Sequence, residues 1–425
     1  MVTAGRGILS VMRARNWILG LAVPIFAAVA VGIAVVVVTG GGGSGSAAPS
    51  ALAAGFPPAR LAGASFTGTG SSRVFLTAIG ASSGTEVAAG GVNGGPALWS
   101  SSDGGTTWTR ATLGGPASLT RTGAGQLAAV AHGPAGWLAA GTTLAGRSGP
   151  LVASSPDGRK WTATDGIARN AVAAGVAAGR AGYVIVGHKS LGGSNVEAAA
   201  WYATGLTGWR TATVAGQGQQ SGQMMNAVTT TARGFVAVGA QGTTPAAWLS
   251  ATGSSWQPVT VPLPTGAARA ALDYVAADGT AVVAAGTEFS ATGVSSPFAE
   301  VSADGGSTWT QVQLPVPTVG PGTGTTVTAL TAAGGGFTAA GTYVTQAGPE
   351  VVVWTLPAGT SVTDGAAWVA ATPEGEGLAS GSSENAITGL AADGATLTGV
   401  GFTAGLAASG MPGAQEPTLW QSPIR

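Results

Sequence analysis

The sequence lacks cysteine and has little charge, and both deficits limit what the protein can be. Without cysteine it has no disulfide, thiol nucleophile, thiolate metal site or lipidated cysteine. Only 8% of its 425 residues are charged, and 17 basic and 17 acidic residues cancel. Because nucleic-acid binding needs a basic surface, this balance argues against a nucleic-acid partner. His132 and His188 each lack a neighbouring His or Cys, so we expect no metal and no cofactor.

What the chain has in abundance is apolar residues and glycine. Hydrophobic residues make up 45% of the sequence and include 13 Trp, which is too apolar for a disordered polymer. The 73 glycines follow no three-residue period, which excludes a collagen-like fibre. A large folded core is therefore expected. The Ala- and Gly-heavy composition also suggests a bacterial source.

An uncharged apolar stretch at residues 17–38 is long enough to cross a bilayer as a helix. Arg6, Arg13 and Arg15 precede it, whereas no charge follows it before Arg60. By the positive-inside rule, residues 1–16 are expected in the cytoplasm and everything after the span outside. The cytoplasmic membrane is thus the first predicted partner.

Residues 39–59 are rich in Gly, Ser and Pro and are predicted to form a linker. A cleaved signal peptide is the alternative, because the small residues 51–53 could serve a peptidase. The apolar stretch exceeds the usual 7 to 15 residues of a signal peptide, which favours a retained anchor. The remainder is exported in either case.

A repeat organises the rest of the chain, residues 60–425. An apolar run ending in glycine recurs at intervals of roughly fifty residues. The seven repeat glycines are Gly90, Gly141, Gly187, Gly239, Gly286, Gly341 and Gly401. Each copy contains short runs rich in Val, Ala and Thr, bounded by tight-turn residues, which predicts four antiparallel strands. The sequence therefore predicts an all-β fold, a seven-bladed β-propeller of four-stranded blades. The seventh copy ends after three strands, and residues 61–68 are expected to supply the fourth.

A turn motif, Ser-x-Asp-x-Gly-x-Thr-Trp, recurs between the third and fourth strands at residues 101–108 and 302–309, with a shorter form at 155–161. It resembles the Asp-box, or bacterial neuraminidase repeat, of sialidase-like propellers. The resemblance implies structural roles, with Asp closing its own turn and Trp packing in the core rather than stacking on sugars. The residues concerned are Asp103, Gly105, Trp108, Asp157, Trp161, Asp304, Gly306 and Trp309.

The resemblance does not extend to catalytic residues. A sialidase needs three converging arginines, an acid Asp and a tyrosine nucleophile paired with Glu, and usually carries an F/Y-R-I-P segment, which is missing. Tyr183 and Tyr274 fall in predicted strands, where they are expected to pack, and Tyr343 falls in a loop between second and third strands. We therefore predict no catalytic residues.

The loops between second and third strands, such as 188–197, are long and dissimilar, so the end of the propeller that carries them is expected to bind. Innermost strands line a propeller's channel, and three of them are predicted to begin with an asparagine at the same phase of the repeat. The candidate ligand-binding residues at the channel mouth are Asn170, Asn226, Asn385, Arg169, Arg269 and Glu384. Alternatively, each asparagine only bonds its own backbone as a cap.

These features together predict a membrane-anchored, extracytoplasmic propeller that binds a protein or a cell-envelope glycan without catalysing a reaction. The alternative is a sialidase-like or other glycoside hydrolase, which fold analogy alone favours.

Terminal sequencing of the protein isolated from membranes tests the predicted topology. We expect residues 17–38 to be retained, because they exceed a signal peptide's apolar core. A mature N-terminus near residue 54 would contradict the anchor but not the export.

Overall fold

The computed structural model describes most of the chain from residue 74 onwards, and the predicted membrane helix, linker and closing strand 61–68 lie outside the described residues. The described ranges are 74–144, 149–164, 167–192, 195–217, 222–316, 324–345, 348–373, 378, 383–405 and 416–424. No helix within these ranges has the length and apolar character that a membrane crossing requires.

Seven sheets account for almost all the regular structure. The first sheet contains β1 (Val74–Ser82), β2 (Thr85–Val92), β3 (Gly95–Ser101) and β4 (Thr109–Arg110). The second contains β5 (Thr112–Gly114), β6 (Gly125–Gly133), β7 (Gly136–Thr143), β8 (Pro150–Ser155) and β9 (Lys160–Thr164), and the third contains β10 (Ala171–Gly179), β11 (Gly182–Gly192), β12 (Asn195–Ala203) and β13 (Arg210–Thr211). The fourth contains β14 (Thr213–Val214), β15 (Gln223–Thr231), β16 (Gly234–Gln241), β17 (Thr244–Ser250) and β18 (Ser255–Val259). The fifth sheet contains β19 (Arg269–Asp278), β20 (Ala281–Phe289), β21 (Ser295–Ser302) and β22 (Thr310–Gln313). The sixth contains β23 (Thr325–Ala333), β24 (Gly336–Thr345), β25 (Gly348–Leu356) and β26 (Val369–Ala371), and the seventh contains β27 (Ser383–Asp393), β28 (Thr396–Gly405) and β29 (Glu416–Pro423). A helical turn, α1 (Ala117–Thr120), follows β5, and a 3-10 turn, Gly365–Ala367, precedes β26.

The sheets are the blades of a seven-bladed all-β propeller, which confirms the predicted fold. Within each blade, consecutive strands pair antiparallel from the centre outwards. The first strand of each blade packs against the first strand of the next, and β27 packs against β1, so the ring closes. Blades 2 and 4 gain a fifth, parallel outer strand, β5 and β14, from the connection that enters them. Blade 7 has three strands among the described residues.

Every first strand contains a β-bulge at the same point. In each blade one residue is left out of the pairing with the second strand, thirteen positions before the repeat glycine. We call these residues the bulge ring: Thr77, Ala128, Ala174, Asn226, Asp273, Thr328 and Thr388.

The repeat glycine faces this bulge from the second strand. Gly239 pairs with Met225, the residue just before the bulge at Asn226, and the other six repeat glycines pair equivalently. A Cβ on Gly239 would lie 1.9 Å from the Met224 carbonyl oxygen. In the other blades the corresponding distance is 1.8 to 2.2 Å, which no side chain can accommodate without moving backbone. Close backbone approach therefore explains why glycine recurs in all seven copies.

Tryptophans fill the spaces between blades. In five blades the third strand carries a Trp. Each of these Trp residues pairs with the second-strand residue that lies two positions before the repeat glycine. These side chains are at most 2% exposed and pack against the preceding blade: Trp99, Trp201, Trp248, Trp354 and Trp420. Blade 2 has Ala153 at this position and blade 5 has Glu300.

Two expectations about loops are wrong. Residues 188–192 belong to β11 and residues 195–197 to β12, so His188, Lys189 and Glu197 are strand residues. Tyr343 lies within β24 and pairs with Glu350 of β25. The reason is that these hairpins continue their backbone pairing beyond the apolar run. Lys189 and Glu197, which face each other, form an ion pair at 3.2 Å.

Replacing Gly239 by alanine tests the close approach. We expect Gly239→Ala to reduce the free energy of unfolding by about 3 kcal/mol or more, because the added methyl group meets rigid backbone. Gly205→Ala is the matched control, since nothing lies within 4 Å of a Cβ there. Denaturant unfolding curves measure both. Equal stabilities for the two variants would contradict the requirement for glycine.

Candidate functional site

The central channel contains a cavity of about 340 Å³ to which all seven blades contribute. Its wall is mostly Ala, Val, Ile and Leu from the first strands. Six members of the bulge ring line it; the seventh, Thr328, is buried beside it. A bulge redirects a side chain relative to its strand, and here the redirected side chains bring polar groups to the channel.

Side chains of the bulge ring also join neighbouring blades. Thr77 Oγ1 donates a hydrogen bond to the Leu127 carbonyl of blade 2, at 2.7 Å. Asn226 Nδ2 donates to the carbonyl of Leu272 in blade 5, at 3.1 Å. Thr388 Oγ1 of blade 7 donates to the carbonyl of Leu76 in blade 1, at 2.8 Å, and so bonds across the closure of the ring. In each case the acceptor is the residue just before the next blade's bulge.

Blades 4 and 5 give the channel its most polar sector. Asn226 Nδ2 donates a second hydrogen bond to Asp273 Oδ1, at 3.0 Å. Because the carbonyl of Leu272 can only accept, the amide must present Nδ2 to it, which fixes the side-chain orientation. Asn226 is 8% exposed, and its Oδ1 is buried with no hydrogen-bond partner.

Asp273 is the one charged residue among the described residues that line the cavity. Burial raises the pKa of its carboxyl to about 7, although the Asn226 hydrogen bond opposes the shift. Burial, and secondarily the charge of Asp273, raises the pKa of Tyr274 well above its ordinary value. The phenol therefore stays neutral, and the sector carries at most one negative charge.

Arg269 begins β19, at the end of the propeller that carries the second-to-third connections. Its guanidinium lies 4.2 Å from the ring centroid of Phe289, and Phe289 lines the cavity. Arg269 itself is exposed. The contact is a cation–π interaction that holds the aromatic ring against the channel wall.

The three predicted asparagines do not occupy equivalent positions, which corrects the expectation that they do. Asn226 is a bulge residue, whereas Asn170 and Asn385 lie four and three residues before the bulges of their blades. Asn170 is exposed, with φ at 53°, a conformation that Asn tolerates in turns. Asn385 is buried in β27 and is not among the cavity-lining residues.

Of the other candidates, Arg169 is exposed just before β10. Glu384 belongs to β27, but its side chain lies outside the described residues. Sequence reasoning missed Asp273, Thr77 and Thr388 and assigned Tyr274 to packing. The fixed offset of thirteen residues from each repeat glycine could have identified the bulge residues, since it holds in all seven copies.

The turns that resemble Asp-boxes are closed by hydrogen bonds from backbone N–H groups to their own Asp and Ser side chains. Asp103 Oδ1 accepts from the backbone N–H groups of Thr106 and Thr107, at 3.1 and 2.8 Å. Ser101 Oγ accepts from the N–H of Gly105, at 2.9 Å. Corresponding bonds surround Asp157 and Asp304, and hydrogen bonding lowers the pKa of Asp103 to about 2.

The tryptophans of these turns lie in the cores between blades. Trp108 and Trp161 are buried, and their indole N–H groups donate to Gly105 and Gly158 at 2.9 and 2.8 Å. Trp309 is half-buried against the core between blades 4 and 5. Buried rings whose N–H groups are bonded to backbone offer no open face for a sugar.

Tyr343 and Glu350 form a hydrogen-bonded tyrosine–carboxylate pair. Tyr343 is 4% exposed and packs in the core of blades 5 and 6, and neither residue is among those lining the cavity. Burial, and then Glu350, raises the pKa of Tyr343, which disfavours the phenolate that a nucleophile would need.

Two fully buried carboxyls lie between blades. Glu86 accepts a hydrogen bond from Thr398 Oγ1 of blade 7, at 2.8 Å, and burial raises its pKa to about 7. Glu300 replaces a core tryptophan, neither of its oxygens has a hydrogen-bond partner, and burial raises its pKa to about 8. Both carboxyls are therefore more than half protonated, and so neutral, below pH 7.

Comparison with known proteins yields no match to a protein-family model and none to a curated protein. Solved structures do match. A Dyadobacter fermentans DSM 18053 protein of unknown function is 12% identical with a TM-score of 0.44, over 83% of this chain and 96% of that one. Trypanosoma rangeli sialidase, in complex with a difluoro-nononic acid, is also 12% identical with a TM-score of 0.44.

The chain covers 53% of that sialidase, so it spans about half of that protein's length, and 82% of this chain is aligned. YCF48 bound to D1 peptide is 17% identical with a TM-score of 0.32, over 56% of this chain and 67% of that one. Sialidases are thus among the structural neighbours of this propeller. Similarities this low carry no argument about function.

The buried carboxyls predict a pH-dependent stability. Their pKa values are raised in the folded state, so their contribution is fully present below about pH 4.5 and is lost as the pH rises through 7 to 8. We expect the melting temperature to fall between pH 5 and 9, and to fall less in Glu300→Gln. Glu416→Gln, at an exposed position, is the control. Identical pH profiles for wild type and Glu300→Gln would contradict the assignment.

Proposed function

We propose that the protein is a membrane-anchored, extracytoplasmic propeller that binds a ligand or partner through its central channel and catalyses no reaction. The observation that carries the proposal is the Asn226–Asp273 pair, a carboxyl and an amide with an unsatisfied oxygen, set into an otherwise largely apolar cavity. A mostly apolar pocket with a few convergent polar groups is the usual form of a binding site.

Its chemistry favours binding over hydrolysis. A glycosidase needs two carboxyls about 5 to 10 Å apart, one on each side of the scissile bond. Asp273 is the one carboxyl among the described residues that line the cavity. The Tyr343–Glu350 pair belongs to a core between blades. A hydrolase has no comparable observation in its favour.

The anchor rests on the apolar stretch 17–38 and the arginines before it. With the linker 39–59, it would hold the propeller outside the cytoplasmic membrane, where the partners within reach are proteins and cell-envelope glycans. The turns that resemble Asp-boxes then serve the scaffold, since each Asp bonds within its own turn.

Crosslinking capture from intact cells tests the proposal. We expect wild type to retain a protein or glycan that Asn226→Ala loses, because Asn226 positions Asp273 in the cavity. Asn170→Ala is the control, since that side chain is exposed and outside the cavity.

Melting temperatures separate loss of binding from loss of fold. Undiminished capture by a folded Asn226→Ala variant would refute the channel site. Release of sugar from a captured glycan by wild type would refute the absence of catalysis, and recovery of the protein in the soluble fraction would refute the anchor.

A further inference from the structure

The polar groups of the bulge ring that line the cavity have committed their donors and left acceptors open. Both N–H groups of Asn226 are used, by the Leu272 carbonyl and by Asp273. The hydroxyl protons of Thr77 and Thr388 point to backbone carbonyls. What remains for a bound molecule is the carboxylate of Asp273 and hydroxyl lone pairs, because Asn226 Oδ1, although unpartnered, is buried. This part of the wall favours a molecule that donates hydrogen bonds.

The charge of this sector is also uncompensated. No basic residue is among the described residues that line the cavity, and Asp273 forms no ion pair there. A carboxylate in apolar surroundings is costly unless it is paired with a cation. The missing counter-charge and the missing donor lie at the same place, because Asp273 and Asn226 are in direct contact.

The rest of the cavity fits an alkyl chain. Its volume of about 340 Å³ is bounded by aliphatic side chains, and Tyr274 and Phe289 add aromatic rings on the Asp273 side. Aromatic faces attract cations, and aliphatic walls bury methylene groups. An ammonium group on a short alkyl chain meets all of these conditions.

We propose that the central channel binds a primary alkylammonium group, with Asp273 as its counter-ion and hydrogen-bond acceptor and with Asn226 holding the carboxyl in place. This inference rests on the proposed function, since it names the ligand chemistry of the same cavity. The group is either a free amine or the side chain of a lysine on a partner. Where Asp273 is protonated, the cation displaces its proton to the buffer.

Calorimetric titration of the full-length protein in detergent tests this, with butylammonium and Nα-acetyl-lysine amide as probes and 1-butanol as the neutral control. We expect both cations to bind and butanol not to bind. Affinity should be about tenfold lower at pH 6 than at pH 8, because protons compete for a carboxyl whose pKa is about 7. Tighter binding of the lysine derivative indicates a partner's lysine, and tighter butylammonium binding a free amine.

Asp273→Asn keeps the side-chain shape and should weaken binding at least tenfold. Asp278→Asn, at the exposed end of the same strand, should leave it unchanged. Equal binding of butanol, no binding of either cation, or unchanged binding by Asp273→Asn would overturn the inference. If that variant does not fold, the pH dependence of wild type still decides. Asn226-dependent capture from cells without ammonium binding would overturn this inference alone and leave the proposed function standing.

Discussion

The propeller depends on one backbone contact that only glycine permits. In each blade the second strand approaches the bulged first strand so closely that a Cβ would fall 1.8 to 2.2 Å from a carbonyl oxygen. That approach accommodates the bulge, and in six of the seven blades the bulge residue lines the channel. Thr388 shows the consequence, since its bond to Leu76 joins the last blade to the first. The repeat glycine and the candidate site are thus two results of one constraint.

Much of the fold could be predicted from the sequence because the repeat encodes it locally. Alternating apolar runs, tight-turn glycines and the phase of tryptophans such as Trp248 are each consistent with one blade, and seven copies imply a ring. The length of hairpins such as β11–β12 could not be predicted, because backbone pairing continued through polar residues that resembled a loop.

The site was harder to predict for a geometric reason. A bulge changes which face of a strand a residue presents, so alternation along β19 predicts the wrong environment for Asp273 and Tyr274. Of the predicted asparagines, only Asn226 coincides with a bulge. Asn170 precedes β10, and Asn385 lies in the regular pairing of β27. Position relative to the bulge, rather than residue type near a strand start, decides which side chains line the channel.

Blade 5 departs from the pattern that its neighbours share. It carries Asp273 where three other blades have Thr, and Glu300 where five have Trp. Each substitution places an ionisable group where the fold offers no counter-charge, which costs stability when the group is charged. Departures from the local rule concentrate at functional sites, since stability is given up there for another purpose. Asp273 and Glu300 differ in one respect, since Asp273 lines the cavity whereas Glu300, like Glu86 of blade 1, is buried between blades. The argument for function therefore applies to Asp273, the substitution that reaches the channel.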